Sequence, residues 1–320
     1  MAQAATRLLT ISGADILALV DPAKVIDALA DGFKALADGS VQAPPRPKVD
    51  VPGKGFSLAM LAWAPGQHIA LKTVNVFDGN HALGLESHQA LVTLFDATTG
   101  APVALLEGGS LTGIRTAAAA MLSVRLLARR SARKALVVGG GVQAREHVRQ
   151  LNLVGTFDEI AVYARQPATA QSLAGSIPNS KAVSDLEAAA RQADVICLTT
   201  SSTTPVIQDD WVKPGTHVTS VGFAPPHSEV PKGLVGRARL FVEAMTAFEP
   251  APVGCAELAG IDKSRGADLG SVLKGTTQGR TSDTGITLYN SLGNAMEDMI
   301  AANIAYEAAV AAGIGSTIEL

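Results

Sequence analysis

Lys134-Ala135-Leu136-Val137-Val138-Gly139-Gly140-Gly141-Val142-Gln143-Ala144 is a short apolar run that meets glycines and then opens into a helical pattern. It reads as strand, tight turn and helix. The spacing is G-x-G-x-x-A, in which Gly139 makes the turn, Gly141 lets the backbone approach a pyrophosphate, and Ala144 lets the helix pack closely on the sheet. A dinucleotide diphosphate would rest on the free N–H groups around Val142 and Gln143, where the helix dipole favours negative charge. Glycine-rich strand ends also occur with no ligand, and the next strand end helps to discriminate.

About twenty residues past the glycines, a carboxylate would hold the ribose hydroxyls of NAD. The chain there reads Val162-Tyr163-Ala164-Arg165-Gln166, with no carboxylate. Arg165 can pair with a 2′-phosphate through charge-assisted hydrogen bonds, so NADPH is expected in preference to NADH. The plain alternative for Arg165 is a solvated loop charge. Further strands are expected near Ala182 and over Asp194–Thr200, Thr216–Val221 and Arg239–Glu243, alternating with helices, which implies a doubly wound parallel sheet. Ligands bind beyond the carboxyl ends of such strands. That puts Thr200-Ser201-Ser202 and the loop Val221-Gly222-Phe223-Ala224-Pro225-Pro226 on the cofactor side, the latter beside the nicotinamide.

Before this region the pattern differs. A strand over Arg7–Ile11 leads to helices capped by Ser12 and Asp21, and strand-like runs follow at Phe56–Trp63, His68–Phe77, Ala90–Asp96 and Pro102–Glu107. This is an α+β unit, helices first and an antiparallel sheet after. A helix over Leu111–Arg130 carries the chain into the glycine-rich strand. The segment Ser291–Ala312 reads as an amphipathic helix, with Leu292, Met296, Met299, Ile300 and Ile304 on its apolar face, returning to the first unit. The expected division is residues 1–115 with 293–320 for one domain, and 116–292 for the dinucleotide-binding domain.

The 320 residues allow about two domains. With 26 Lys and Arg against 29 Asp and Glu there is no polyanion-binding field, so nucleic acid is not an expected partner. Arg125 interrupts the most apolar helical stretch, so no membrane partner is expected. Met1–Arg7 lacks the charged start and apolar core of a secretory signal, and a cytoplasmic protein is expected. Cys197 and Cys255 make neither a disulfide framework nor a metal cluster, and no metal is expected.

Three cations in the first unit suit a substrate carboxylate. Arg46 follows the stiff pair Pro44-Pro45, Lys72 lies within an apolar strand, and Arg115 opens an otherwise apolar helix. Arginines clamp a carboxylate bidentately, and a buried lysine can hold or release a proton. Spacing alone leaves the plain readings open: a solvated Arg46, a water-facing Lys72, a carbonyl-capping Arg115. His81 and His88 have no carboxylate or cysteine cluster beside them at metal-binding spacing.

At these residues the chain resembles the ornithine cyclodeaminase/mu-crystallin family. The carrying segments are Arg46-Pro47-Lys48, Lys72-Thr73-Val74-Asn75-Val76-Phe77 with Asn80, Leu111 to Ala118, Gly139 to Ala144, and Trp211 to Val218. The resemblance implies a Rossmann domain joined to a discontinuous α+β domain that binds substrate and forms a homodimer. It implies carboxylate contacts at Arg46, Lys72 and Arg115, a cofactor-phosphate contact at Thr116, and an arginine on the NADP phosphate after Val162.

Cyclodeaminases of the family carry an aspartate in the loop that here reads Gly222 to Glu229, and a glutamate where this chain has Ala59. Both are missing, which leaves hydride transfer but removes the general base for deamination. The expected activity is NAD(P)H-dependent reduction of a 2-imino acid, such as the cyclic ketimine Δ1-pyrroline-2-carboxylate. The alternatives are an alanine-type amino-acid dehydrogenase and an iminosuccinate reductase. Less favoured are a mu-crystallin-like binding protein and a cyclodeaminase in which Glu229 or His227 replaces the aspartate.

Overall fold

In the computed structural model the described residues are 6–222, 227–250 and 253–319. The chain divides into two compact units, one from Met1–Ala28, Asp38–Arg115 and Asn294–Leu320, the other from Leu29–Ala37 and Thr116–Gly293.

The first unit begins with β1 (Arg7–Ile11) and α1 (Gly13–Leu19), capped by a reciprocal pair of hydrogen bonds between Ser12 and Asp15. In α2 (Pro22–Ala37) the Ala23 N–H donates to Asp21. The end of this helix, Leu29–Ala37, groups with the second unit, whereas the sequence assigns it to the first. Phe33 explains this: a Cβ on Gly270 would fall 2.1 Å from the Phe33 carbonyl oxygen, so glycine permits close packing there.

Strands β2 (Lys48–Val51), β3 (Gly55–Ala62), β4 (Ile69–Val76), β5 (His88–Phe95) and β6 (Pro102–Glu107) form an antiparallel meander. The whole sheet is mixed, not antiparallel as expected. β1 lies parallel to β6, and a C-terminal strand, Ser316–Glu319, pairs antiparallel with β1. β1 and β6 each feed a helix N-terminus at the same end of the sheet, which sets their common direction. The second of these helices, α3 (Gly108–Leu127), starts three residues earlier than its apolar pattern predicts because Glu107 accepts from the N–H groups of Gly109 and Ser110.

One sheet face is covered by the C-terminal helix Ala295–Ala312, which packs across β3, β4 and β5. This helix is not the amphipathic element expected: from Ala295 to Asn303 every residue is buried, Glu297 and Asp298 included. The opposite sheet face leaves Leu61 44% and Leu91 52% exposed.

The second unit alternates β7 (Lys134–Val138), α4 (Val142–Leu151), β8 (Glu159–Tyr163), α5 (Pro167–Ala174), β9 (Ser180–Ala182), α6 (Leu186–Gln192) and β10 (Val195–Leu198). β11 (His217–Ser220), α7 (Lys232–Arg237), β12 (Arg239–Val242), β13 (Gly266–Asp268), α8 (Leu269–Leu273) and β14 (Thr287–Asn290) complete it. All eight strands are parallel, in the order β13-β12-β14-β11-β10-β7-β8-β9. This is the doubly wound α/β sheet expected. β14, which lies between β11 and β12, has no counterpart in the sequence reading, because four residues after a polar loop carry too little periodicity to register. The order reverses around β7, which has β8 on one side and β10 on the other; the ligand crevice of such sheets opens at this reversal.

Candidate functional site

Gly139 leaves β7 with φ +149°, and a Cβ there would lie 2.2 Å from the Thr199 hydroxyl oxygen. Only glycine fits this turn. Gly141 is the N-cap of α4 and no side chain caps the helix; a Cβ on it would meet nothing within 4 Å. A helix start with no side-chain cap at its N-cap residue is the arrangement that receives a phosphate. Val142 is exposed, Gln143 half-buried and Ala144 fully buried against the sheet. These residues fit a dinucleotide.

The other sequence-derived cofactor residues line the same carboxyl edge. Ala164, Arg165 and Gln166 follow β8, with Arg165 and Gln166 exposed. Thr200 and Ser201 follow β10, and Val221 and Gly222 follow β11. Thr116 is buried on α3, directly after Arg115. The segment Phe223–Pro226, expected beside the nicotinamide, lies outside the described residues, as does the side chain of His81. His88 is exposed at the start of β5.

Glu229 ties the loops after β10 and β11 together. One carboxylate oxygen accepts from the Thr200 N–H at 2.8 Å and its hydroxyl at 2.7 Å; the other accepts from the Ser220 hydroxyl and the Gly222 N–H, both at 2.9 Å. Burial pushes its carboxyl upward in pKa, and the four donors hold it back. Both oxygens are spent on structure, which leaves Glu229 poorly placed to replace a missing catalytic aspartate.

In the first unit, Lys72 and Arg115 converge. Lys72 lies mid-strand on β4 and is 2% exposed, so the water-facing reading of this residue does not hold. Its Nζ donates to Asp298 Oδ1 at 3.0 Å, and Arg115 Nε donates to the same oxygen at 2.9 Å. Arg115 Nη1 also donates to Glu297 Oε2 at 2.8 Å, while Glu297 Oε1 accepts from the Asn294 N–H and closes the helix cap. Burial pulls the Lys72 ammonium down to about 8; Asp298 opposes that shift and Arg115 adds to it. Two cations and two carboxylates thus share one dry site, each carrying a desolvation penalty of several kcal/mol that only its partners offset.

Arg46 is half-buried in the extended segment before β2. The carbonyl of the next residue, Pro47, accepts from the Ala59 N–H of β3, and Met60 of β3 opposes Lys72 on β4. Glu297 and Asp298 escape the sequence reading. Their only local signal is a pair of acids in the first turn of an apolar helix, which normally reads as solvated capping.

The profile of the ornithine cyclodeaminase/mu-crystallin family matches residues 7–313. Delta(1)-pyrroline-2-carboxylate reductase of Paracoccus denitrificans is 34% identical over 295 residues, covering 88% of this chain and 93% of the relative. The solved structure of the Thermococcus litoralis Delta(1)-pyrroline-2-carboxylate reductase in complex with NADH and L-proline superposes with a TM-score of 0.90 at 30% identity, covering 97% of this chain and all of that one. An archaeal alanine dehydrogenase dimer with bound NAD gives a TM-score of 0.87 at 28% identity, over 98% of this chain and 99% of the other. With the profile spanning nearly its whole length, this chain belongs to the ornithine cyclodeaminase/mu-crystallin family.

Proposed function

We propose that this protein is a nicotinamide-dependent reductase of a 2-imino acid, with a cyclic ketimine such as Δ1-pyrroline-2-carboxylate as substrate and proline as its product. The observation that carries this reading is the buried pair Lys72 and Arg115, held side by side in a chain that also presents an uncapped helix N-terminus for a dinucleotide. The relatives named Delta(1)-pyrroline-2-carboxylate reductase support the substrate class. Bound nicotinamide supplies the hydride. Lys72 and Arg115 orient the substrate carboxylate, and Arg46 adds a third cation from the neighbouring strand edge.

Gly139, Gly141, Val142 and Gln143 hold the pyrophosphate, Thr116 contributes to the phosphates, and Thr200, Ser201, Val221 and Gly222 border the nicotinamide half. Arg165, exposed at the end of β8 with Ala164 and Gln166, favours NADPH over NADH through the 2′-phosphate. The exposed apolar face of the first unit's sheet, with Leu61 opposite Leu71 and Leu91 opposite Thr73, suits a second copy of the chain and supports a homodimer. Among the described residues no helix is long and apolar enough to cross a membrane.

The test is oxidation of NADPH and NADH against Δ1-pyrroline-2-carboxylate, Δ1-piperideine-2-carboxylate, iminosuccinate, and pyruvate with ammonia, with ornithine as a control. NADPH oxidation dependent on the cyclic imines is expected. Silence on the imines with proline formed from ornithine would overturn the reading in favour of a cyclodeaminase.

A further inference from the structure

The Lys72–Asp298 pair is not saturated. Asp298 is 1% exposed and uses only Oδ1, which takes both Lys72 and Arg115; among the described residues Oδ2 has no hydrogen-bond partner. A buried acceptor left in this state is unfavourable by about 1–3 kcal/mol in general, so it calls for a donor from a water, an ion or a ligand. Lys72 is in the complementary condition. Its ammonium carries three donors, and among the described residues its only hydrogen bond is to Asp298. Unspent N–H donors and an unspent carboxylate oxygen therefore stand side by side, bridged by a 3.0 Å contact.

A 2-imino acid has the inverse pattern. Its carboxylate oxygens accept, its protonated nitrogen donates, and the two groups sit one N=C–C–O unit apart. We infer that Asp298 is the residue that recognises the substrate nitrogen: Oδ2 accepts the N–H of the protonated imine while Lys72 takes the adjacent carboxylate. This deepens the imino-acid reading and rests on it. A 2-oxo acid offers its carbonyl oxygen at the same place, an acceptor facing an acceptor, and is rejected. The carboxylate absent from the loop after β11 thus has a counterpart on the C-terminal helix. Asp298 removes no proton in this role; it holds the nitrogen's proton in place as the carbon is reduced, and it retains the N–H of the amine product.

The test compares two planar carboxylates on the NADPH-loaded protein by calorimetry: pyrrole-2-carboxylate, which has a ring N–H, and furan-2-carboxylate, which has a ring oxygen instead. The unaltered protein should bind the pyrrole at least tenfold more tightly, the factor of a single charge-assisted hydrogen bond at roughly its lower bound. Asp298→Asn should reduce that preference to less than threefold, while Lys72→Met weakens both ligands and keeps the ratio. If Asp298→Asn fails to fold, the Lys72→Met/Asp298→Asn protein, which loses one charge of each sign, reads the same ratio. Equal binding of the two ligands by the unaltered protein, binding of neither, or a preference that survives loss of Asp298 overturns the assignment. The imine-reduction assay reports separately on the reading beneath it, since turnover of the imine without an N–H preference sinks Asp298 alone.

Discussion

If Lys72 holds a substrate carboxylate as a cation, anion binding must weaken at a pH where an ordinary lysine would still be charged. Burial lowers Lys72 from 10.5 to about 8, with Asp298 and Glu297 raising it and Arg115 lowering it. That displacement corresponds to roughly 3 kcal/mol in favour of the neutral amine. The sign follows from which form binds. The ammonium is present below about 8 and is lost as the pH rises through that value, so affinity for a carboxylate is full at pH 7 and about tenfold weaker at pH 9. A lysine at its ordinary value would change by less than roughly 10% over that range. Furan-2-carboxylate suits the assay because it has no group titrating between neutral and alkaline pH, so calorimetry with NADPH present reports the protein alone. Lys72→Met should bind the ligand weakly and without this alkaline limb. An affinity that stays flat to pH 9 in the unaltered protein, or the same slope in Lys72→Met, would refute the cationic role.

Three further outcomes are expected. Arg165→Asp should raise the KM for NADPH by about 10- to 100-fold through loss of a charge-assisted pair and added repulsion, with NADH changed less than about threefold; equal losses in steady-state kinetics would remove the 2′-phosphate assignment. Leu61→Glu, on the exposed sheet face, should convert a dimer to a monomer in sedimentation velocity, and a dimer that persists would place the interface elsewhere. Glu229→Ala strands four donors from two loops and should lower stability in urea by about 2–4 kcal/mol while weakening NADPH binding. A change under about 0.5 kcal/mol would mean the loops do not depend on that carboxylate.

The parallel sheet and the glycine turn into α4 were legible because their signals are local: an apolar strand, glycines and a helix fall within eleven consecutive residues. β14 was not, since Thr287–Asn290 mixes polar and apolar residues and is buried only by its neighbours in the sheet. The cations of the first unit could be named from residue type, but not their burial, because β4 reads equally well with one face in water. The carboxylates that hold them were invisible for a different reason. Asp298 stands 226 residues from Lys72 and 183 from Arg115, and no periodicity joins positions so far apart. An acid in a helix's first turn is ordinarily a capping residue at the surface. Glu297 does cap the C-terminal helix, and only its packing over β3, β4 and β5 shows that it does so in the dry.

The first unit is assembled from both ends of the sequence, and this has a bearing on biosynthesis. A ribosome releases β1 to β6 early, with Lys72 and the apolar row Met60, Val92 and Leu106 on a face that α1 reaches only at β6. Domains usually mature in the order they are translated. Here the second unit is complete at Gly293, before residue 294 opens the helix that covers β3, β4 and β5. The middle of the chain therefore finishes first and the beginning last. Until the C-terminal helix emerges, the nascent unit keeps an apolar surface open beside a lysine and an arginine whose counter-charges have not yet been made.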